Sequence, residues 1–438
     1  MSQAYHQLYR TRLARGYWRD RVRPVLLNNW EATYFDFDED KLLTLAAKAK
    51  ELGIELFVLD DGWFTHRSND FAGLGDWEVD TAKLPDGLRG FGEKLNAMGL
   101  QFGLWIEPEM VNPGTQMWNE HPDWVLHQRG RRPQPSRHQY VLDYSNPEVV
   151  DHLYHHFEKL LGNVPVSYIK WDMNRSISDA FSCVSAPCRQ GEVLHRYILG
   201  VYRLYQLLTD RFPQILFESC ASGGARFDPG MLYYAPQCWT SDDTDAVERL
   251  KIQYGTSFVY PVSSMGAHVA AVPNHQLGRI TSMNTRANVA FFGAFGYELD
   301  LTQLSPCDQE QVARHIEFFK QHRQLLQFGT FWRLQSPFTH NEAAWMTVAP
   351  DRSTALVGDY LILQQVNAGY RRIRLAGLAP DRLYRVTPLA SGAEPCGHSY
   401  TAGGDELMQA GIVTTGDDQM QHDGDFVSRL YWLEAVTE

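Results

Sequence analysis

VSYIKWDMN, residues 166–174, is a short apolar run ending in a lysine, an indole, a carboxylate and an amide, and its shape recurs along the chain. Seven similar runs are PVLLNNW (24–30), LFVLDDGW (56–63), QFGLWIEPEM (101–110), HQYVLDYS (138–145), ILFESCASGG (215–224), QCWTSDD (237–243) and SSMGAHV (263–269). Amphipathic stretches such as DEDKLLTLAAKAKEL, NPEVVDHLYHHFEKLLG and GEVLHRYILGVYRLYQLL lie between them and predict helices. Near-continuous apolar strands alternating with helices specify a parallel sheet covered on both faces. Eight such units within about 300 residues predict an α/β fold, a (β/α)₈ TIM barrel. Most of the runs end in polar, aromatic or acidic residues, as strands do when their C-terminal ends converge on one mouth.

The pattern changes after residue 330. WRLQSPF, AAWMTVAP, STALVGDYLILQQV, RRIRLAGL, RLYRVTPL and SRLYWLEAV are β-rich and separated by turn residues, which predicts an antiparallel β-sandwich. The chain therefore divides into a connector (1–23), a barrel (24–330) and a C-terminal sandwich (331–438). The connector carries six arginines and a single acid, Asp20.

Composition narrows the partners. A net charge of −12 argues against nucleic acid or an anionic membrane. No apolar run reaches the roughly 18 residues needed to cross a bilayer. The six cysteines (Cys183, Cys188, Cys220, Cys238, Cys307 and Cys396) form no CxxC pair, and no signal-peptide pattern precedes them. Free thiols and a cytoplasmic location are expected.

The chemistry gathers at the strand ends. In YIKWDMNR, alternation puts Lys170, Asp172 and Asn174 on one face. Lys170 would favour an ionised Asp172, as a nucleophile requires, although an ion pair closing the barrel has the same pattern. In WTSDDTDAVERL, Asp245 and Glu248 have capping-box spacing, so Asp245 reads as a helix N-cap. Asp242 and Asp243 remain as candidates, with Asp242 preferred because it precedes the turn. Asp60 and Asp61 could accept hydrogen bonds from sugar hydroxyls or hold a metal, but no further ligands follow at metal-site spacing. Trp30, Trp63 and Trp105 could wall a sugar site or belong to the core. His152 and His156 lack the glutamate of HExxH, and P-loop, GxGxxG and GxSxG patterns are absent.

NNWEATYFDF, LDDGWF, LWIEPEM, YIKWDMNR, ESCASGGARFDPGMLYY and WTSDDTDAVERLKIQYG, in this order, resemble glycoside hydrolase family 36, the α-galactosidase family. The resemblance implies a retaining hydrolase needing no cofactor or metal, with Asp172 as nucleophile and Asp242 as acid/base. It implies a galactose pocket built from Asp60, Asp61, Trp105, Arg137, Lys170, Asn174, Cys220 and Gly223, with Trp30 near the mouth. The Cys220 loop would leave no room for a bulky 2-substituent. Substrates would be α-galactosides such as melibiose and raffinose-type sugars, and a homo-oligomer is expected. A galactosyl transglycosylase or a galactoside-binding pseudoenzyme would carry the same residues. Members resemble three-part proteins with a large β-sandwich before the barrel, whereas this chain starts at the connector. Tyr5, Leu8, Tyr9, Leu13, Tyr17 and Trp18 of the connector are therefore expected to stay partly uncovered.

Overall fold

Alternating side chains along each strand make two cores. Inward-facing Leu26, Leu56, Val58, Tyr168 and Leu216 fill the closed end of a barrel, with Trp18 of the connector packed against them. Outward-facing Leu27, Phe57, Leu59, Ile169, Trp171 and Phe217 join the large core beneath the surrounding helices. The computed structural model describes residues 1–366, 369, 371–390, 395, 398–414 and 424–436.

Eight parallel strands close the barrel: β1 (Leu26–Asn28), β2 (Leu56–Leu59), β3 (Gln101–Ile106), β4 (Val166–Trp171), β5 (Leu216–Ser219), β6 (Gln237–Trp239), β7 (Met265–Ala270) and β8 (Ala294–Glu298). Their order round the barrel is β1-β8-β7-β6-β5-β4-β3-β2. Helices Glu39–Leu52, Pro147–Asn163, Val193–Arg211 and Ala246–Thr256 follow the predicted stretches. Asp38, Asn146 and Asp245 cap three of them by accepting from first-turn backbone N–H groups.

One predicted strand is not in the barrel. Within HQYVLDYS, Tyr140–Val141 pairs antiparallel with Met110–Val111, inside a long excursion that follows β3. The run is apolar because the excursion has its own packing, including Tyr140 against Trp118 with ring centroids 4.7 Å apart. The eighth barrel strand is Ala294–Glu298 instead, where Gly296, with Gly293 just before the strand, dilutes the apolar pattern.

The C-terminal region is a six-stranded antiparallel sheet: β9 (Thr330–Gln335), β10 (Glu342–Val348), β11 (Thr354–Leu361), β12 (Leu383–Leu389), β13 (Tyr400–Gly403) and β14 (Val427–Ala435), in the order β9-β10-β11-β14-β12-β13. Trp345, Leu356, Tyr360 and Leu430 of one face merge with the barrel core. Ala344, Met346, Val357 and Leu433 of the other face make a separate core. That core is covered by the two-stranded sheet Arg372–Ile373/Ile412–Val413 and the helix Gly404–Gln409, so the second layer is far smaller than the first. The Tyr360 hydroxyl donates to Asn288 O at 2.8 Å across the seam with the barrel.

The connector forms a helix, Ser2–Leu8, that continues into one π-helical segment, Tyr9–Leu13. Arg10 donates to Phe328 O at 2.6 Å, Arg15 lies 4.0 Å over the Tyr233 ring, and Trp18 Nε1 donates to Gln214 O at 2.8 Å. Tyr5, Leu8 and Tyr17 remain exposed, while Tyr9, Leu13 and Trp18 are half-buried. Among the described residues, no helix is long and apolar enough to cross a membrane.

Candidate active site

The strand ends enclose a cavity of about 270 Å³, on the scale of one sugar ring. Trp30, Asp60, Asp61, Trp105, Arg137, Lys170, Asp172, Asn174 and Asp242 line it together. Cys220 and Gly223 stand immediately behind. The Cys220 thiol hydrogen-bonds Asp172 and is kept protonated by burial and by the charge of that carboxylate. Gly223, at φ +79°, lies where a Cβ would come within 2.5 Å of the Ser241 backbone. Trp63 is wholly buried and donates to Trp105 O at 2.9 Å, so it supports the wall without forming it.

The two tandem aspartates are each matched with a cation. Asp60 Oδ2 accepts from Lys170 Nζ at 2.9 Å and from Asn28 Nδ2 at 2.6 Å. Asp61 is gripped by Arg67 through Nε at 2.9 Å and an Nη at 2.8 Å. The direct ion pair of Lys170 is thus with Asp60, and Asp172 acts on it from farther away. Burial opposes the Lys170 charge, yet Asp60 and Glu298 hold its pKa well above the ordinary lysine value.

Three donors converge on Asp172: Trp105 Nε1 at 3.2 Å, Met173 N at 2.8 Å and the Cys220 thiol. Asn174 is a bridge. Its backbone N donates to Glu107 at 2.5 Å, its Oδ1 accepts from Ser222 Oγ at 3.1 Å, and its carbonyl accepts from the exposed Arg137 at 3.1 Å. Asp242 opens onto the cavity, but protein crowds the other sides of its carboxyl. Loss of water there, then the charge of Asp172, push its pKa up to about 6. Trp239 Nε1 donates to Asp242 Oδ1 at 3.1 Å. Asp243 instead braces the following turn by accepting from Asp245 N at 3.0 Å, and Asp245 caps the next helix.

Several residues of the site escaped the sequence reading. Glu298 ends β8, the strand whose Gly296 breaks its apolar pattern, and accepts from His268 Nδ1 at 2.9 Å. Glu31 follows Trp30 directly and accepts from Thr244 Oγ1 at 2.8 Å; burial and then Glu298 raise its pKa far above the carboxylate range. Glu107, in the acidic ending WIEPE, is also raised by burial and by Asp172. Arg67, His275 and Gln276 come from loops with no marked pattern. His152 lies away from this cavity, edge-on to Trp124. Among the described residues no group of three or more His, Cys, Asp or Glu side chains is arranged to hold a metal ion.

Known proteins resemble this chain throughout. The melibiase family matches residues 1–329, and the C-terminal domain of glycosyl hydrolase family 36 matches residues 342–433. The α-galactosidase AgaA of Geobacillus stearothermophilus is 53% identical over 438 residues, covering 100% of this chain and 58% of that protein. The α-galactosidase Mel36A of Lactobacillus acidophilus is 47% identical over 436 residues, again covering 100% of this chain and 58% of the relative. A crystal structure of a substituted AgaA in complex with raffinose superposes with a TM-score of 0.94 at 52% identity, covering 100% of this chain and 59% of that one. The chain thus spans about 58% of the length of these two relatives. With its barrel and its C-terminal sheet both matched, the chain belongs to the melibiase family, in the glycosyl hydrolase family 36 arrangement.

Proposed function

We propose that this chain carries the catalytic site of a retaining α-galactosidase that releases terminal α-linked galactose from melibiose- and raffinose-type sugars. The observation that carries the reading is a pair of carboxyls facing one sugar-sized cavity in contrasting environments. Donors from Trp105, Met173 and Cys220 surround Asp172, whereas Asp242 is pushed up to about 6. One is suited to attack and the other to give a proton.

In this mechanism Asp242 protonates the leaving oxygen while Asp172 attacks the anomeric carbon, forming a β-linked galactosyl-enzyme. Asp242, now ionised, takes a proton from water, which attacks the same carbon as its bond to Asp172 breaks and the Asp172 carboxylate leaves, and the second inversion restores the α configuration. Retention requires the two carboxyls about 5–5.5 Å apart on opposite faces of the scissile bond. Asp60, Asp61, Lys170, Asn174 and Arg137 bind hydroxyls, Trp105 and Trp30 supply apolar walls, and Cys220 and Gly223 close the floor against a 2-acetamido group. The raffinose complex of the substituted AgaA supports this substrate class.

The exposed Tyr5, Leu8 and Tyr17 support self-association, to be checked by light scattering. The free thiols of Cys183, Cys188, Cys220, Cys238 and Cys307 support a reducing, cytoplasmic setting; Cys396 lies outside the described residues. The decisive experiment is turnover of an aryl α-galactoside followed by NMR. The α-anomer of galactose should appear first, and first release of the β-anomer would refute retention.

A further inference from the structure

Asp242 follows β6, in the segment Thr240–Thr244 that belongs to no helix or strand, and open to the cavity, where a carboxyl has rotational freedom. A general acid must hold its proton toward one oxygen, so something has to restrict it. The hydrogen-bond donor aimed at its side chain is Trp239 Nε1, at 3.1 Å. Trp239 is the last residue of β6 and its ring is buried. Gly266, its register partner on β7, has no Cβ, which would otherwise lie 3.0 Å from the indole. Two residues along β7, His268 stacks on the indole with centroids 4.3 Å apart. His268 is itself fixed by Nδ1 donating to Glu298 on β8 at 2.9 Å. Arg249 lies 4.9 Å from the Trp239 ring centroid.

Resting on the α-galactosidase reading above, we propose that Trp239 is the positioning residue of Asp242, and that His268, fixed by Glu298, braces the indole. The contact gives Asp242 one preferred rotamer, with its second oxygen left for the glycosidic oxygen. Other charged or titratable groups face Asp242 from each side: Asp172 and Lys170 from the end of β4, Cys220 after β5, Glu298 from β8 and Glu31 after β1.

The first test needs no turnover. In protein labelled with ¹⁵N at tryptophan, the indole signal absent from Trp239→Phe should move with a midpoint near 6, and this movement should vanish in Asp242→Asn. A signal that does not titrate, or that titrates unchanged in Asp242→Asn, overturns the proposal.

The second test uses two substrates. Trp239→Phe should lose about tenfold or more additional kcat/KM on raffinose than on dinitrophenyl α-galactoside, whose leaving group needs little protonation. Azide should accelerate the variant on the aryl substrate. His268→Ala should show the same selective loss more weakly, and His268→Phe, which keeps an aromatic face on the indole but not the bond to Glu298, should reduce that loss in part. Equal losses on both substrates with no azide effect would reduce Trp239 to a pocket wall and refute the proposal. Should the unsubstituted protein turn over neither substrate while the indole still follows Asp242, the hydrolase reading fails and the positioning contact stands.

Discussion

The raised pKa of Asp242 makes a quantitative prediction. An ordinary aspartyl group has a pKa near 3.9 and would be about 1% protonated at pH 6. At about 6, half of the molecules hold the proton at that pH. On the proposed mechanism the protonated form is the active acid, so activity should be lost as pH rises. On raffinose, kcat/KM should fall about tenfold for each pH unit beyond 6, since this parameter reports the free protein. A sugar in the cavity removes more water from the carboxyl, so the same limb in kcat should lie at higher pH. Asp242→Ala should lose about 10²–10⁴-fold on raffinose yet still be galactosylated by dinitrophenyl α-galactoside, with no alkaline limb near 6 on that substrate. Azide should then intercept the galactosyl-enzyme and yield α-galactosyl azide. Stopped-flow release of the aryl group and NMR of the azide product measure both effects. Equal loss on the two substrates, or a limb that persists in Asp242→Ala, would refute the assignment and move attention to Asp243.

Asp172→Gly should abolish turnover, and azide should partly restore reaction of an activated substrate as β-galactosyl azide; recovery of the α-azide would exchange the two roles. Activity should survive prolonged EDTA dialysis, because Asp60 and Asp61 already have Lys170 and Arg67 as counter-cations, and restoration by Ca²⁺ or Mn²⁺ of a lost activity would contradict this. Glu107 has a folded pKa raised above its unfolded value near 4.3, so its contribution to stability falls as pH rises from there through the folded value. Glu107→Gln should therefore flatten the decline of the denaturant midpoint from pH 5 to 8, and an unchanged slope would count against the raised value. Trp345→Ala should destabilise the barrel–sheet seam by about 3–5 kcal/mol in denaturant unfolding, because the ring is fully buried against Phe292 and Tyr360.

Much of the barrel is legible in the sequence because a parallel strand buried on both faces is apolar along its length, and because its polar ending marks the mouth. VSYIKWDMN carries both signals and forms β4, with Lys170 and Asp172 reaching the cavity as alternation requires. HQYVLDYS carries both as well, yet it packs within an excursion, since a run of three apolar and aromatic residues does not specify which sheet it joins. AFGYELD has the reverse problem. Its single glycine, Gly296, answers to close packing against Leu26, and it interrupts the apolar pattern of a strand whose last residue, Glu298, is a wall of the site. The aspartates of motifs were recognisable by residue type and position. Glu31, Arg67 and His275 were not, because their approach to the cavity depends on loop geometry that no periodicity records.

The cavity also has an excess of acid that its cations do not cancel. Lys170 and Arg67 match Asp60 and Asp61, and His268 engages Glu298, which leaves Asp70, Asp172, Asp242 and Glu31, with only Arg137 and His275 as further basic groups among the described residues, facing a space of about 270 Å³. Loss of water and then the charge of neighbouring carboxylates lift Asp242 and Glu31, and the same density of acid selects what can enter. An anionic ligand would be repelled, whereas a neutral sugar offers hydroxyl donors to acceptor-rich walls. Glycoside cleavage passes through an oxocarbenium-like transition state, and fixed negative groups placed where that positive charge develops need no rearrangement to stabilise it. On the proposed mechanism, proton donation and cation stabilisation are thus two results of one arrangement. A substitution that relieves the crowding, by removing the charge of Asp172 or of Glu298, weakens both together.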